Sequence, residues 1–450
     1  MRTEGRTATV VAIALAATSL LWPALWNGYP LVYSDTGTYL SQAIEHYLGW
    51  DRPIFYSLFL LPLHLTLTTW PAIAVQALLV AHVLHLVRRA LLPDASVWWL
   101  LPLAGAMTVT TSLPWFTSQL MPDVFTGVLV LVLALQIFAT ERLSHRERIW
   151  LMALAAFMIA AHQSHVLLAS LLLVVLLPLR GLAGATALRS VAPLALAMVA
   201  LISVNLFAFG RASLSPYGNV FLLTRVIYDG PGADVLRRDC PASGWRLCAF
   251  IDRLPATADD FLWRNDGPVV QAGGAKLVSR EADAIIAAAL QAEPGRELQA
   301  LARNVAQQLA LFATGDGLQP WSGTVTPWIE REFPGFEAAA YAAARQNSGR
   351  LDVPVWLQAL HVTAALAGVA GCVALLLTAP RITNKSDHGQ PPVVGFAAAI
   401  LLALLANAAI TGCLSGPHDR YQSRVMWLPP LVAVLGIASL RTVTNPVPSR

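Results

Sequence analysis

Residues 149–179 read IWLMALAAFMIAAHQSHVLLASLLLVVLLPL, and the topology of the whole chain turns on whether this run is one apolar segment or two. Two apolar blocks, Ile149 to Ala161 and Val166 to Leu179, flank His162-Gln163-Ser164-His165. Four polar residues in a row are costly inside hydrocarbon, so the reading predicts a break there and two short crossings. The basic residues test that choice. Arg88 and Arg89, then Arg142, Arg146 and Arg148, then Arg180 and Arg189, then Arg381 and Lys385, and finally Arg441 lie in linkers between apolar runs and should share the cytoplasmic side. With the break they do, whereas a single crossing would put Arg180 and Arg189 outside.

Further apolar runs lie on either side, at Ala8 to Trp26, Trp70 to Val87, Val97 to Leu113, Val124 to Ala139, Thr186 to Phe209, Pro354 to Ala379, Val393 to Cys413 and Val425 to Leu440. The expected fold is an all-α membrane protein, a polytopic bundle of about ten transmembrane helices, several of them shorter than the roughly 20 residues that a perpendicular crossing wants. The first run has no small-residue cleavage site before Trp22, Pro23 and Trp26, so it is read as a retained helix. Residues 1–210 then form an N-terminal bundle of helices 1–7 with outer loops 27–69 and 112–123. Residues 211–353 form a partly helical extracytoplasmic domain between helices 7 and 8, and residues 354–450 supply helices 8–10. Both termini are expected in the cytoplasm, with the chain spanning a bacterial inner membrane many times. Composition agrees, since 56% of the 450 residues are hydrophobic and 12% are charged, against roughly a quarter charged in soluble domains. The net charge of +4 is carried by arginines in the linkers. It reports topology, and no nucleic-acid partner is expected.

The chemistry-bearing residues fall on the non-cytoplasmic face, in segments 27–69, 112–123, 211–353 and 414–424. Asp35 and Asp123 each head an apolar segment, and a polytopic protein that keeps carboxylates at the membrane edge is expected to use them on a substrate. Asp51, Arg52, Tyr39, His418, Arg420, Tyr421 and Arg424 share that face as candidate substrate and phosphate ligands. Bland readings stand beside these. Asp35 after Ser34 and Asp123 after Pro122 sit where carboxylates cap helices. The arginines could pair with Asp51 and Asp419, and His162 with His165 could serve backbone carbonyls at a helix break. Cys240 and Cys248, eight positions apart in the long outer segment, are expected to form a disulfide, the alternative being two buried thiols. No CxxC or Cys/His zinc spacing occurs, so no metal ligands are assigned. An amphipathic stretch runs from Arg280 to Phe312, interrupted at Pro294-Gly295.

A resemblance rests on three of these pieces. Tyr29-Pro-Leu-Val-Tyr33-Ser34-Asp35-Thr-Gly-Thr-Tyr39, followed by Trp50-Asp51-Arg52-Pro53-Ile-Phe-Tyr56-Ser-Leu-Phe59, resembles the opening of GT-C type, polyprenyl-phosphate-sugar-dependent glycosyltransferases. That group includes protein mannosyltransferases and lipid A aminoarabinose transferases. Gln119-Leu120-Met121-Pro122-Asp123-Val124-Phe125 resembles their acidic second outer loop, and His418-Asp419-Arg420-Tyr421-Gln-Ser-Arg424 their Arg-Tyr segment before a late helix. The likeness covers the first 180 residues in order of elements and this one late motif. Segment 211–353 matches nothing in the group, and Asp123 stands alone where many members carry an acidic pair. The resemblance implies an enzyme that moves a sugar from a polyprenyl-phosphate donor to a glycan, lipid or protein acceptor at the periplasmic face, with Asp35 as general base or acceptor-orienting residue. It leaves open whether a divalent metal takes part. Such chemistry needs a base for the acceptor hydroxyl, for which Asp35 or Asp123 is suited, and cations for the leaving phosphate, which Arg52, Arg420 and Arg424 could hold. The competing classes are a surface-glycan polymerase or ligase, and a transporter or flippase for a lipid-linked or small polar substrate. A transporter would favour internal symmetry, and no repeat is visible.

Overall fold

The computed structural model describes residues 5–181, 184–383 and 392–444, and these form an all-helical protein with no strand among them. Lys385 of the charge argument lies outside the described residues, as do the extreme ends of the chain. Four helices are long and apolar enough to cross a membrane: Trp70–Leu91, Ala187–Phe209, Val355–Thr378 and Pro392–Leu414. Shorter helices occupy the other apolar runs, among them Arg6–Ser19, Val124–Phe138 and Gln163–Leu179.

The 149–179 run breaks where its polar residues fall. His145–Ala161 ends and Gln163–Leu179 begins at the single residue His162, whose backbone is extended (φ −145°, ψ 130°). Two local devices fix the pair. Ser144 and Glu147 form a reciprocal capping box at the start of the first helix, and His162 Nδ1 accepts the backbone N–H of Ser164 at the start of the second. The two helices pack on each other and both pack on Gly184–Phe209.

Val124–Phe138 is buried along its entire length, as a helix apolar on every face should be. It is surrounded by Trp70–Leu91, His145–Ala161, Gln163–Leu179 and Pro392–Leu414. Gly184–Phe209 and Val355–Thr383 are the opposite case. They turn Leu196, Val199, Phe207, Trp356 and Leu377 outward, apolar surface that water disfavours and a bilayer would cover.

Segment 211–353 divides physically into two parts. Residues 217–289 carry a core of their own, built from Val220, Leu223, Leu236, Leu247, Phe261, Val278 and Ile285. A disulfide joins Cys240 to Cys248 within it. From Pro294 onward the chain returns to the bundle. Pro294–Ala310 packs on Pro392–Leu414, and Val325, Ile329, Phe333 and Tyr341 join the bundle's core. Two buried polar side chains hold this return in place. Glu337 Oε1 accepts from the Tyr29 hydroxyl (2.7 Å) and the Thr69 N–H (2.9 Å), while the Gln346 amide accepts from Val32 N (3.0 Å) and donates to Val32 O (2.7 Å).

Candidate functional site

Backbone pairing brings the first two outer segments together. Leu31 N–H donates to Ser118 O (2.9 Å) and Leu120 N–H to Leu31 O (2.8 Å), an isolated parallel bridge. Thr36 Oγ1 adds a bond to Leu120 O (3.0 Å). Asp35, in the first turn of Ser34–Glu45, is thereby set beside Asp123, which immediately precedes Val124–Phe138. The late motif is held from two directions. Ser112 Oγ donates to Ser423 O (2.7 Å), and segment 308–316 grips the start of Asp419–Ser423. There Gln308 bonds the backbone N–H and C=O of His418, and Asp419 Oδ1 accepts from Ala313 N (2.5 Å). Asp316 Oδ2 accepts from Arg420 N (3.0 Å).

The product is a chain of alternating charges. Arg52 Nη2 lies 2.6 Å from Asp35 Oδ1, and Arg420 Nη2 lies 3.8 Å from Asp35 Oδ2. Arg420 Nε lies 3.9 Å from Asp123 Oδ1, which Arg424 Nη1 meets at 3.1 Å. Arg424 is further bound through Nη2 to Ser164 Oγ (3.2 Å) and Asn407 Oδ1 (3.1 Å). The two central arginines therefore differ in kind. Arg424 is wholly buried and hydrogen-bonded through both of its terminal nitrogens, whereas Arg420 reaches the carboxylates only beyond hydrogen-bond distance and lies over the Tyr33 ring, 3.8 Å from its centroid. Arg420 Nη1, Arg424 Nε, Asp123 Oδ2 and the Tyr39 hydroxyl are buried with no hydrogen-bond partner among the described residues. Buried polar atoms are seldom left so.

Asp123 occupies the N-cap position of Val124–Phe138 and Asp35 the first turn of Ser34–Glu45, yet neither carboxylate makes a capping hydrogen bond. Asp35 spends its oxygens on arginines and Ser34 while Thr36 Oγ1 accepts the Tyr33 N–H. Burial by itself would raise the Asp35 pKa, but Arg52 and then Arg420 outweigh it and hold the carboxyl below its ordinary range. Asp51 is the reverse. Burial outweighs Arg52 there and lifts its pKa.

Asp35, Arg52, Asp123, Arg420 and Arg424 thus converge, with Tyr39 and Tyr421 against them; the Tyr421 ring lies 5.2 Å from the Arg420 guanidinium. His418 stays outside the chain, its ring edge-on to Tyr421. Asp51 takes part through its carbonyl, which accepts from Arg52 Nη1 (2.9 Å). Of the histidine pair, His165 is fully engaged, by Thr126 Oγ1 and Met158 O, each at 2.7 Å. No group of three or more potential metal ligands converges among the described residues.

Sequence reasoning did not single out Ser164, Asn407, Asp316 or Tyr33. Asn407 carried a signal, being a lone amide within an apolar run. Asp316 carried another. It sits between Gly315 (φ +103°) and Gly317 (φ +80°), and a Cβ on Gly317 would lie 2.1 Å from the Tyr33 ring. This turn can therefore hold only glycine where it presses Tyr33 toward Arg420.

Two clefts touch the charge chain, one lined by Trp50, Arg52, Gln163, Leu201 and Asn205, the other by Leu31, Trp115, Asp316 and Arg420. Each holds about 20 Å³, room for about one water. This chain matches no protein-family model, no curated protein and no solved structure at a significant level.

Proposed function

We propose that the protein is a GT-C-like membrane glycosyltransferase, a bundle of about ten crossings in a bacterial inner membrane with both termini cytoplasmic, that moves a sugar from a polyprenyl-phosphate donor to an acceptor at the outer face. One observation carries this reading: three arginines and two aspartates drawn from sequence-distant outer segments form a single chain, buried at Asp123, Arg420 and Arg424 and partly exposed at Asp35 and Arg52, with hydrogen-bonding capacity left over. An apolar structural core has no use for such a cluster, because replacing buried ion pairs with hydrophobic packing is commonly neutral or stabilising. Charge of this kind points to a ligand of its own.

In the reaction an acceptor hydroxyl attacks the anomeric carbon as the bond from that carbon to the lipid phosphate breaks. The phosphate leaves with the electron pair, and the hydroxyl proton passes to a carboxylate. Asp35 suits the base better than Asp123, since its side chain is 14% exposed whereas that of Asp123 is fully enclosed. Asp123 then acts as a positioning residue for Arg420 and Arg424. Paired with two guanidinium groups, Asp35 is a poor base. A donor phosphate that takes Arg52 and Arg420 for itself removes those partners and raises the Asp35 pKa, so basicity would appear only with donor bound.

The test is transfer of a labelled sugar from a polyprenyl phosphate in membranes of cells with and without the gene. Gene-dependent transfer is the expected result. Absence of transfer with every donor offered would shift the reading to a transporter or flippase, which the polar helix break at His162 would also suit.

A further inference from the structure

His162 is read most simply as the residue at which a helix breaks. Its hydrogen bonds say more. The Ser164 backbone N–H, which can only donate, lies 3.2 Å from His162 Nδ1, so that nitrogen carries no proton. Ser164 Oγ lies 2.9 Å from the same atom. The ring proton must then sit on Nε2, which no protein group among the described residues engages. His165 differs, because both of its nitrogens are occupied. Burial first, then Arg424, His165, Arg420 and Arg52, hold the His162 pKa well below its usual value, so the ring is neutral at physiological pH.

The joint is tied to both ends of the charge chain. Gln163 Nε2 reaches Asp51 O (3.4 Å), next to Arg52, and Ser164 Oγ accepts from Arg424 Nη2 (3.2 Å). It is also the N-terminus of the 17-residue helix Gln163–Leu179, the end that favours negative charge. Two buried donors of the same cluster, Arg420 Nη1 and Arg424 Nε, have no hydrogen-bond partner among the described residues.

We infer that His162 is a neutral N–H donor which, with Arg420, Arg424 and the start of Gln163–Leu179, forms a cradle for a phosphate ester. The anion site rests on this geometry; that the ester is lipid-linked rests on the glycosyl-transfer reading. A locked imidazole adds what another arginine could not, a directed hydrogen bond without a further buried charge.

The test uses the full-length protein in detergent micelles, with a short-chain isoprenyl monophosphate, the matching isoprenyl alcohol and inorganic phosphate as probes. H162N keeps a helix-capping acceptor but lacks a donor at the Nε2 position, and H162Q places an amide N–H near it. Wild type should bind the isoprenyl phosphate and not the alcohol. H162N should bind it about 10-fold more weakly, and H162Q should recover most of the loss. H162S, also a good cap, should repeat the H162N result, which guards against one substitution misfolding. Equal affinity of wild type, H162N and H162S would overturn the inference, as would failure of wild type to bind either phosphate. Binding of inorganic phosphate alone, weakened in H162N, would uphold the cradle and count against the lipid-linked donor.

Discussion

Asp123 and Arg424, 301 residues apart in the sequence, form an ion pair whose side chains are both completely removed from solvent, with Nη1 3.1 Å from Oδ1. The pair ties the start of the innermost helix, Val124–Phe138, to the segment that leads into Leu428–Thr444. Arg424 also bonds Asn407 in Pro392–Leu414 and Ser164 in Gln163–Leu179. One guanidinium therefore fixes the mutual position of four helices around the candidate site.

Removing either partner strands a charge in a place water does not reach. Asp123→Ala and Arg424→Ala should each lower stability by about 3–5 kcal/mol. The double variant should lose less than the sum, by roughly 0.5–3 kcal/mol. Denaturant unfolding in mixed micelles gives all three values. Strict additivity would mean that the two residues are not coupled, and that Asp123 does not position Arg424.

Asp51 tests the electrostatics at the edge of the site. Its pKa is raised by burial, so its contribution to stability is present below the unfolded value and is lost as the pH climbs through the folded one. At pH 7, above the unfolded value, the buried carboxyl group therefore costs stability. Asp51→Asn, of similar size and neutral, should therefore melt above wild type at pH 7, and the difference should fade below about pH 4. Melting at or below wild type at pH 7 would show that the pairing with Arg52 outweighs burial.

How much of this was legible in sequence can be argued residue by residue. The break at His162 was, because His162-Gln163-Ser164-His165 interrupts an otherwise apolar run, and hydrophobic pattern is a strong local signal. The company of Asp35, Arg52, Arg420 and Arg424 was approached by placing them on one face, yet a shared face fixes no contacts. That Arg420 lies on Tyr33 depends on Gly317 leaving space for the ring, and no periodicity reports it. The two parts of segment 211–353 were also hidden. Glu337 and Gln346 are residue types usually found at the surface, and only the tertiary structure shows them satisfying buried backbone and hydroxyl groups of the first outer segment. His418 was grouped with the site by its neighbours in sequence, whereas the chain delivers its backbone to Gln308 instead.

Topology remains a matter for the membrane itself. On the proposed topology, Arg148 and Arg189 lie on one side and Gln319 on the other. Reporter fusions after these residues should read inside, inside and outside. An outside signal at Arg189 would show that residues 149–179 cross once despite the break.

The last prediction concerns the base. Asp35→Asn keeps the size of the side chain and can still accept a hydrogen bond from Arg52, but it cannot take a proton from an acceptor hydroxyl. Turnover should fall by roughly 100-fold or more with the protein still inserted. If Asp35 were a helix cap, the same change would be nearly silent, since Asn caps about as well as Asp; its carboxylate is in fact turned to Arg52. Arg420→Lys separates donor binding from folding. Lysine keeps the charge but loses the planar fork and the stacking on Tyr33, so the apparent KM for the lipid-phosphate donor should rise about 10-fold while stability changes little. Both variants are read in the labelled-sugar transfer assay against wild-type membranes, with protein level fixed by immunoblot. Wild-type turnover in Asp35→Asn would remove Asp35 as the base and leave Asp123, whose Oδ2 has no hydrogen-bond partner among the described residues, as the carboxylate to test next.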